Sequence, residues 1–230
     1  MRIGGLQKFS LIDYPDRIAA VVFTQGCNFR CPYCHNAELV LPECYGDLVP
    51  EDEVLRFLEK RRRDLEGVVI SGGEPSIQPD LAEFIGKIKQ LGYAVKLDTN
   101  GSRPQVLHRL IRAGLVDYIA MDVKAPPGKY SKAAGRRVNT AHISESIALM
   151  MQSGIPYQFR TTLVQPLCTE EDLPRIAEMI PDAVHYTVQN FSPGQKIVGG
   201  KKTCLTGYDE KSFEKIWDKW SRGVCVEAST

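Results

Sequence analysis

Three cysteines lie close together in the segment Gly26-Cys27-Asn28-Phe29-Arg30-Cys31-Pro32-Tyr33-Cys34-His35. Thiolates at this spacing can converge on one inorganic group only if the backbone wraps around it as a loop. Gly26 and Pro32 favour such a loop. An iron–sulfur cluster held by three cysteines leaves one iron open for a substrate, and this is the chemistry that the pattern favours.

Other interpretations of these cysteines stay open at this point. A zinc site would need a fourth ligand, which His35 or Cys44 could supply. The stretch from Cys31 to His35 also matches the attachment pattern of c-type haem, but that pattern goes with export and leaves Cys27 without a role. A set of inert buried thiols is the third alternative. The roles of the remaining cysteines are not assigned, and we expect structural thiols at Cys44, Cys168, Cys204 and Cys225.

The composition indicates an ordinary globular chain. It has 230 residues, of which 43% are hydrophobic and 25% charged, enough for one sizeable core. The net charge of +1 points to neither nucleic acid nor a membrane surface. No apolar run approaches the roughly 20 residues of a membrane span, and the first ten residues lack the pattern of a signal peptide. We therefore expect a cytoplasmic protein, in which seven cysteines are not a disulfide framework.

Short β-branched runs alternate with longer amphipathic stretches. The predicted strands are residues 18–24, 67–71, 93–98, 117–122, 157–164 and 185–189. The predicted helices are residues 50–65, 79–91, 104–113, 140–153, 169–180 and 209–221. This alternation predicts right-handed βαβ units and a parallel sheet, either open or curled into an incomplete barrel, in one domain over residues 1–230. Both architectures put the chemistry at the carboxyl ends of the strands.

Glycines and polar residues follow the next strands at that edge. The segments are Ser-Gly-Gly-Glu-Pro at 71–75, Asp-Thr-Asn-Gly at 98–101 and Asp-Val-Lys at 122–124. Alone, the first would be only a turn, and the aspartates would only end their strands. Two glycines at a strand end also let backbone carbonyls approach a ligand, and a buried cation such as Lys124 or Arg160 requires an anionic partner.

The cysteine motif, with an aromatic residue before its last cysteine and Gly-Gly-Glu-Pro one βα unit later, resembles the radical S-adenosylmethionine superfamily. The usual fold of that family is a partial (β/α)6 barrel. The resemblance implies a [4Fe-4S] cluster on Cys27, Cys31 and Cys34, and reductive cleavage of S-adenosylmethionine to a radical. It assigns cofactor binding to Tyr33, Gly72, Gly73, Glu74, Asp98, Asn100, Lys124 and Arg160.

Residues 3–15, 121–127 and 189–193 resemble the activating proteins of anaerobic ribonucleoside-triphosphate reductase, within the glycyl-radical-enzyme activase group. This implies a glycyl radical enzyme as partner and an external electron donor such as flavodoxin or ferredoxin. It also implies a monovalent cation held by Asp98, Thr99 and Asp122 near the methionine carboxylate, with which Lys124 pairs. The alternatives are an activase of pyruvate formate-lyase or another glycyl radical enzyme, a radical enzyme that acts on a small molecule, and a non-catalytic zinc-binding module.

Overall fold

A seven-stranded sheet forms the centre of the fold in the computed structural model, which describes residues 1–192, 196–200 and 203–221. The strands are β1 (Ile3–Ser10), β2 (Ala19–Thr24), β3 (Gly67–Gly72), β4 (Ala94–Thr99), β5 (Tyr118–Asp122), β6 (Tyr157–Leu163) and β7 (Tyr186–Asn190). β1 runs antiparallel to β2, and all later pairs are parallel. Because the strands follow chain order without a reversal, right-handed crossovers put the helices that connect parallel strands on the same face of the sheet. This arrangement confirms the predicted α/β fold, a partial barrel of six parallel strands.

Helices connect the parallel strands and cover the outer face of the sheet. They are α1 (Ala37–Val40), α2 (Glu51–Lys60), α3 (Leu81–Gln90), α4 (Pro104–Arg112), α5 (Pro127–Ala133), α6 (Thr140–Gln152), α7 (Leu173–Met179) and α8 (Glu210–Trp220). Each predicted strand and helix is present, with bounds that differ by a few residues. The predicted helix at 169–180 begins as a 3-10 turn, because Thr169 and Asp172 form a capping box there.

Three elements were not predicted: β1, α1 and α5. In β1 only Ile3 and Ser10 are buried, and Gly4 and Gly5 interrupt the pattern, so the strand lacks a clear alternation. The helices α1 and α5 have four and seven residues, too few to show a helical period in the sequence.

The two faces of the sheet differ in chemistry. On the outer face, Val22, Ile70 and Leu97 are buried against the helices in the main core. On the inner face, a smaller apolar cluster made by Tyr14, Ala19, Val21 and Val69 fills the end where the parallel strands begin. Towards the carboxyl ends the inward positions become charged, and the candidate site lies at that end.

Some residues named above lie outside the described part of the chain, namely Pro193 and Cys225. The six described cysteines are free thiols. Cys168 is buried, whereas Cys44 and Cys204 are exposed. Among the described helices, none combines the length and the apolar character of a membrane span.

Candidate active site

The cysteine loop, residues 25–36, follows β2 and is held by hydrogen bonds within the loop. Cys31 is buried, and Cys27 and Cys34 are half-buried. The Phe29 amide donates a hydrogen bond to Cys27 Sγ at 3.3 Å, and the Cys34 amide donates to the Cys31 carbonyl at 3.0 Å. The Arg30 guanidinium closes the loop by donating to the carbonyls of Cys27 and Phe29, at 2.6 and 2.7 Å.

Burial dominates the electrostatics of the three thiols. It raises the pKa of Cys27 to about 12 and that of Cys31 to about 11, and it also raises the pKa of Cys34. The charge of Glu74, and to a smaller extent charge on the other two thiols, raises the pKa of Cys27 further. A bound metal centre stabilises thiolates by replacing their protons. Three thiols of one short loop, one of them buried and one already accepting an amide hydrogen bond, therefore fit an iron–sulfur cluster.

The residues that other interpretations would recruit have different surroundings. The His35 ring stacks on Phe191 with 5.6 Å between ring centroids, and Cys44 is exposed in the turn Pro42–Cys44. Within the described residues, no three His, Cys, Asp or Glu side chains are grouped around a position for a single metal ion. Tyr33 is buried and packs edge-on against Phe191 at 6.5 Å, and its hydroxyl has no hydrogen-bond partner in the described structure.

The glycine-rich segment lies directly against the cysteine loop. The Gly73 amide donates to the Thr24 carbonyl, and the Glu74 amide donates to the Gly26 carbonyl, both at 2.8 Å. A Cβ atom on Gly73 would overlap the Gly26 carbonyl, so only glycine allows this close approach. The glycine-rich motif and the cysteine motif, which are separate in the sequence, are therefore in direct contact.

Glu74 joins this segment to the end of β4. Its carboxylate is almost fully buried and accepts hydrogen bonds from the Ser76 amide at 3.0 Å, from the Thr99 hydroxyl at 2.7 Å and from the Asn100 amide at 2.7 Å. Burial raises the pKa of Glu74, and these donors oppose that rise. In the described structure the carboxylate holds two loops together; a contact with S-adenosylmethionine stays a prediction.

Asn100 forms a second link, from the loop after β4 to the cysteine loop. Its side-chain amide donates to Asn28 Oδ1 at 2.9 Å, and Asn28 donates to Ser102 Oγ at 2.7 Å. The Ser102 amide donates back to Asn100 Oδ1 at 3.0 Å, which closes the network. The geometry of the cysteine loop is therefore fixed by neighbouring strand ends as well as by its own residues.

Five charged side chains form a continuous series across β4, β5 and β6, which we call the ion chain. Lys96 Nζ lies 2.6 Å from Asp98 Oδ1, and Arg160 Nη1 lies 3.7 Å from Asp98 Oδ2. Arg160 Nε and Lys124 Nζ both lie 2.9 Å from the Asp122 carboxylate. Burial opposes ionisation of Asp122, but the charges of Arg160 and Lys124 outweigh it and hold the pKa of Asp122 well below its usual range.

The residues predicted to hold a monovalent cation are only partly brought together. Asp98 and Asp122 are bridged by the guanidinium of Arg160. Thr99 donates its hydroxyl to Glu74. Both carboxylates already have protein cations as partners, so they fit an additional metal cation poorly. The cation stays a prediction from the resemblance.

Several residues of the site were not predicted from the sequence. Lys96 precedes Asp98 by two residues, so strand alternation would have placed both side chains on one face. Ser71, at the end of the neighbouring strand β3, donates to Asp98 Oδ2 at 3.0 Å. The contacts of Asn28 and Ser102 span 74 positions and have no sequence signal.

Comparison with known proteins identifies the family. The profile of the Radical SAM superfamily matches residues 21–180, which is more than half of the chain. This chain belongs to the radical SAM superfamily. It is therefore a radical SAM enzyme, as predicted, and a [4Fe-4S] cluster and S-adenosylmethionine are the cofactors that the family implies.

Individual relatives agree with this assignment. A protein of Methanocaldococcus jannaschii named as a glycyl-radical enzyme activating enzyme is 37% identical over 196 residues, which cover 83% of this chain and 80% of the relative. The pyruvate formate-lyase-activating enzyme of Listeria monocytogenes is 29% identical over 191 residues, covering 78% and 75%. The crystal structure of Streptococcus suis SuiB bound to S-adenosylmethionine superposes with a TM-score of 0.64 at 15% identity, over 85% of this chain and 47% of SuiB, and supports the fold.

Proposed function

We propose that this radical SAM enzyme is an activase that generates a glycyl radical on a partner enzyme, specifically on an anaerobic ribonucleoside-triphosphate reductase. The identity of 37% to the Methanocaldococcus protein, over most of both chains, is the observation that carries the activase assignment. The choice of the reductase rests on the resemblance of residues 3–15, 121–127 and 189–193.

The cysteines and the ion chain have distinct roles in this proposal. Cys27, Cys31 and Cys34 hold the cluster and leave one iron open. When bound, the cluster and S-adenosylmethionine together supply the radical that abstracts hydrogen from glycine. The segment of Gly72 and Gly73 presents backbone carbonyls to the amino group of the cofactor.

The ion chain provides a place for the carboxylate of the cofactor. Its cations are Lys96, Lys124 and Arg160 and its carboxylates are Asp98 and Asp122, so three positive charges less two negative charges leave +1. A partly buried site with one uncompensated cation favours an anionic ligand group. We assign this contact to Lys124, whose charge acts on Cys31 of the cysteine loop, with Arg160 in support. In this proposal the side chains of Tyr33 and Asn100 line the same cofactor site.

The remaining parts of the proposal concern the cellular setting. Radical chemistry at a reducible cluster requires an external electron donor, for which we propose a flavodoxin or a ferredoxin. Free thiols and a redox cluster suit the reducing cytosol.

A second candidate is activation of pyruvate formate-lyase. The relative from Listeria monocytogenes, which is named for that activity and covers most of this chain, favours it. A radical enzyme acting on a small molecule would instead modify a free substrate in the absence of any glycyl enzyme. A zinc-binding module would give a colourless anaerobic preparation that contains zinc.

Electron paramagnetic resonance tests the partner. The anaerobically reconstituted enzyme is mixed with a reductant, S-adenosylmethionine and either an anaerobic ribonucleotide reductase or pyruvate formate-lyase. We expect a glycine-centred doublet with the reductase, dependent on reductant and S-adenosylmethionine. The Cys31→Ala variant is the negative control, and the Cys44→Ala variant is the matched positive control. A doublet that forms only with pyruvate formate-lyase would retain the activase chemistry and reject the reductase as partner.

A further inference from the structure

Lys96 is a buried lysine on the inner face of β4 that the proposed chemistry does not use directly. Its side chain is 4% exposed, and its ammonium group lies 2.6 Å from Asp98 Oδ1. The strand register puts Val69 and Tyr118 beside it on the neighbouring strands. A buried ammonium is unfavourable in such surroundings unless it is paired, so its charge acts on Asp98.

Protein cations already outnumber the two carboxylates of the ion chain. Lys96 and Arg160 flank Asp98, and Arg160 and Lys124 flank Asp122. A metal cation between the carboxylates would face three protein cations and would raise the local charge from +1 to +2. At separations of a few ångströms, repulsion of this kind is strong in a partly buried site.

We propose that Lys96 is the built-in counter-ion of Asp98 and that, together with Arg160, it takes the place of a bound monovalent metal cation. Lys96 acts as a positioning residue: it pairs with Asp98 and holds that side chain in its present orientation, and it does not contact the reacting atoms. The enzyme should then bind S-adenosylmethionine without an alkali-metal ion. The inference rests on cofactor binding as part of the proposed function, but not on the identity of the partner.

The first test needs no variant. Binding of S-adenosylmethionine to the reconstituted full-length enzyme is measured by calorimetry in potassium chloride and in choline chloride at the same ionic strength, about 100 mM, so that screening is equal. We expect the affinity to differ by less than about twofold, within the range of nonspecific salt effects. Binding that is about tenfold or more tighter in potassium would overturn the proposal.

The second test removes the ammonium group of residue 96, so that a metal cation can take its place beside Asp98. In choline chloride, Lys96→Met should weaken binding of S-adenosylmethionine by about tenfold or more, because Asp98 loses a partner. Potassium should restore most of the affinity, and Lys96→Arg should bind as the wild type does in both salts. Lys89→Met is the matched control, because Lys89 forms a partly buried pair with Asp117 at 2.7 Å outside the ion chain. It should change neither the affinity in choline chloride nor that in potassium chloride.

Two outcomes of the second test would contradict the counter-ion role. Wild-type affinity in Lys96→Met in both salts would show that Asp98 does not need Lys96. A loss that neither potassium nor Lys96→Arg repairs would show a purely structural role. If Lys96→Met does not fold, the affinities of the wild type for S-adenosylmethionine in the two salts decide the question.

Thermal unfolding separates this inference from the proposed function. A cation that binds only the folded protein raises its unfolding temperature by mass action. We expect potassium to raise the unfolding temperature of reconstituted Lys96→Met relative to choline and to leave the wild type unchanged. This measurement needs no S-adenosylmethionine, so it keeps its meaning if the wild type fails to bind that cofactor. An equal response of both proteins to potassium would refute the proposal.

Discussion

Arg30 and its neighbours hold the cysteine loop mainly through hydrogen bonds that do not involve the thiols. Its guanidinium binds two carbonyls of the loop, and its amide donates to the Ala134 carbonyl at 2.8 Å. The Val198 and Gly199 amides donate to the carbonyls of Cys34 and Pro32, at 3.0 and 2.8 Å. Replacing one cysteine should therefore remove a ligand and leave the backbone of the loop in place.

Single cysteine variants test the ligand assignment. The wild-type protein, reconstituted anaerobically, should contain roughly four irons per chain. Cys27→Ala, Cys31→Ala and Cys34→Ala should each lose the stable cluster and the reductive cleavage of S-adenosylmethionine, because each removes one of three protein ligands. Iron and sulfide analysis with a cleavage assay measures both. Cys44→Ala is the matched control, and a colourless Cys44→Ala protein would show that this exposed thiol is a ligand.

Thiol labelling tests the electrostatics of the same residues. With a pKa of about 11 to 12, the Cys27 and Cys31 thiols are protonated at pH 8 in the cluster-free protein, with on the order of a thousandth or less as reactive thiolate. Iodoacetamide should therefore label exposed Cys44 and Cys204 first, as read by mass spectrometry. The rates for Cys27 and Cys31 should rise about tenfold per pH unit, because pH stays below their raised pKa values. In urea, where the fold is lost, Cys31 and Cys44 should be labelled equally fast at pH 8. Equal labelling of these two cysteines in the folded protein would contradict the raised pKa values.

At the scale of elements, the decisive contact joins the loop after β3 to the loop after β2. Gly73→Ala should disrupt it, because the new methyl group would collide with the Gly26 backbone. We expect loss of cluster content and of S-adenosylmethionine binding, with a lower unfolding temperature. Gly86→Ala is the control, since Gly86 lies in α3 with open space around it and alanine should stabilise the helix by about 0.5–1 kcal/mol. Full iron content in Gly73→Ala would mean that the two loops can separate without cost to the site.

Regular elements were predictable from the sequence, and the links between them were not. The six parallel strands were found because β-branched runs mark buried strands, and Asp98 and Asp122 were placed at one edge because parallel strands end together. Lys96 shares a face with Asp98 by alternation, but their ion pair depends on the rotamer of the lysine side chain. The contact of Arg160 with Asp98 depends on how close β6 lies to β4. The network of Asn28, Asn100 and Ser102 depends on loop conformations that have no periodic pattern.

At the scale of the whole molecule, the two ends of the parallel set meet above the cysteine loop. β2 and β7 lie at opposite sides of the six parallel strands. Phe191, directly after β7, packs on Tyr33 and His35, which flank Cys34 in the sequence. The chain beyond β7 then adds the amides of Val198 and Gly199 to the cysteine loop. The open side of the partial barrel is thus bridged at the level of the cysteines.

This bridge should protect the cluster from solvent and oxygen. Phe191→Ala would remove a buried ring from between Tyr33 and His35, at a cost of about 3–5 kcal/mol for a large-to-small change in a core. We expect the cluster to form anaerobically but to lose its visible absorbance in air several times faster than the wild type, in proportion to local opening of the bridge. Phe213→Ala on α8, which also packs against the core, is the control for general loss of stability. If both variants bleach equally fast at equal loss of unfolding temperature, global stability governs the cluster. Faster bleaching in Phe191→Ala alone would assign protection to the bridge, because only that variant opens the segment that covers the cysteine loop.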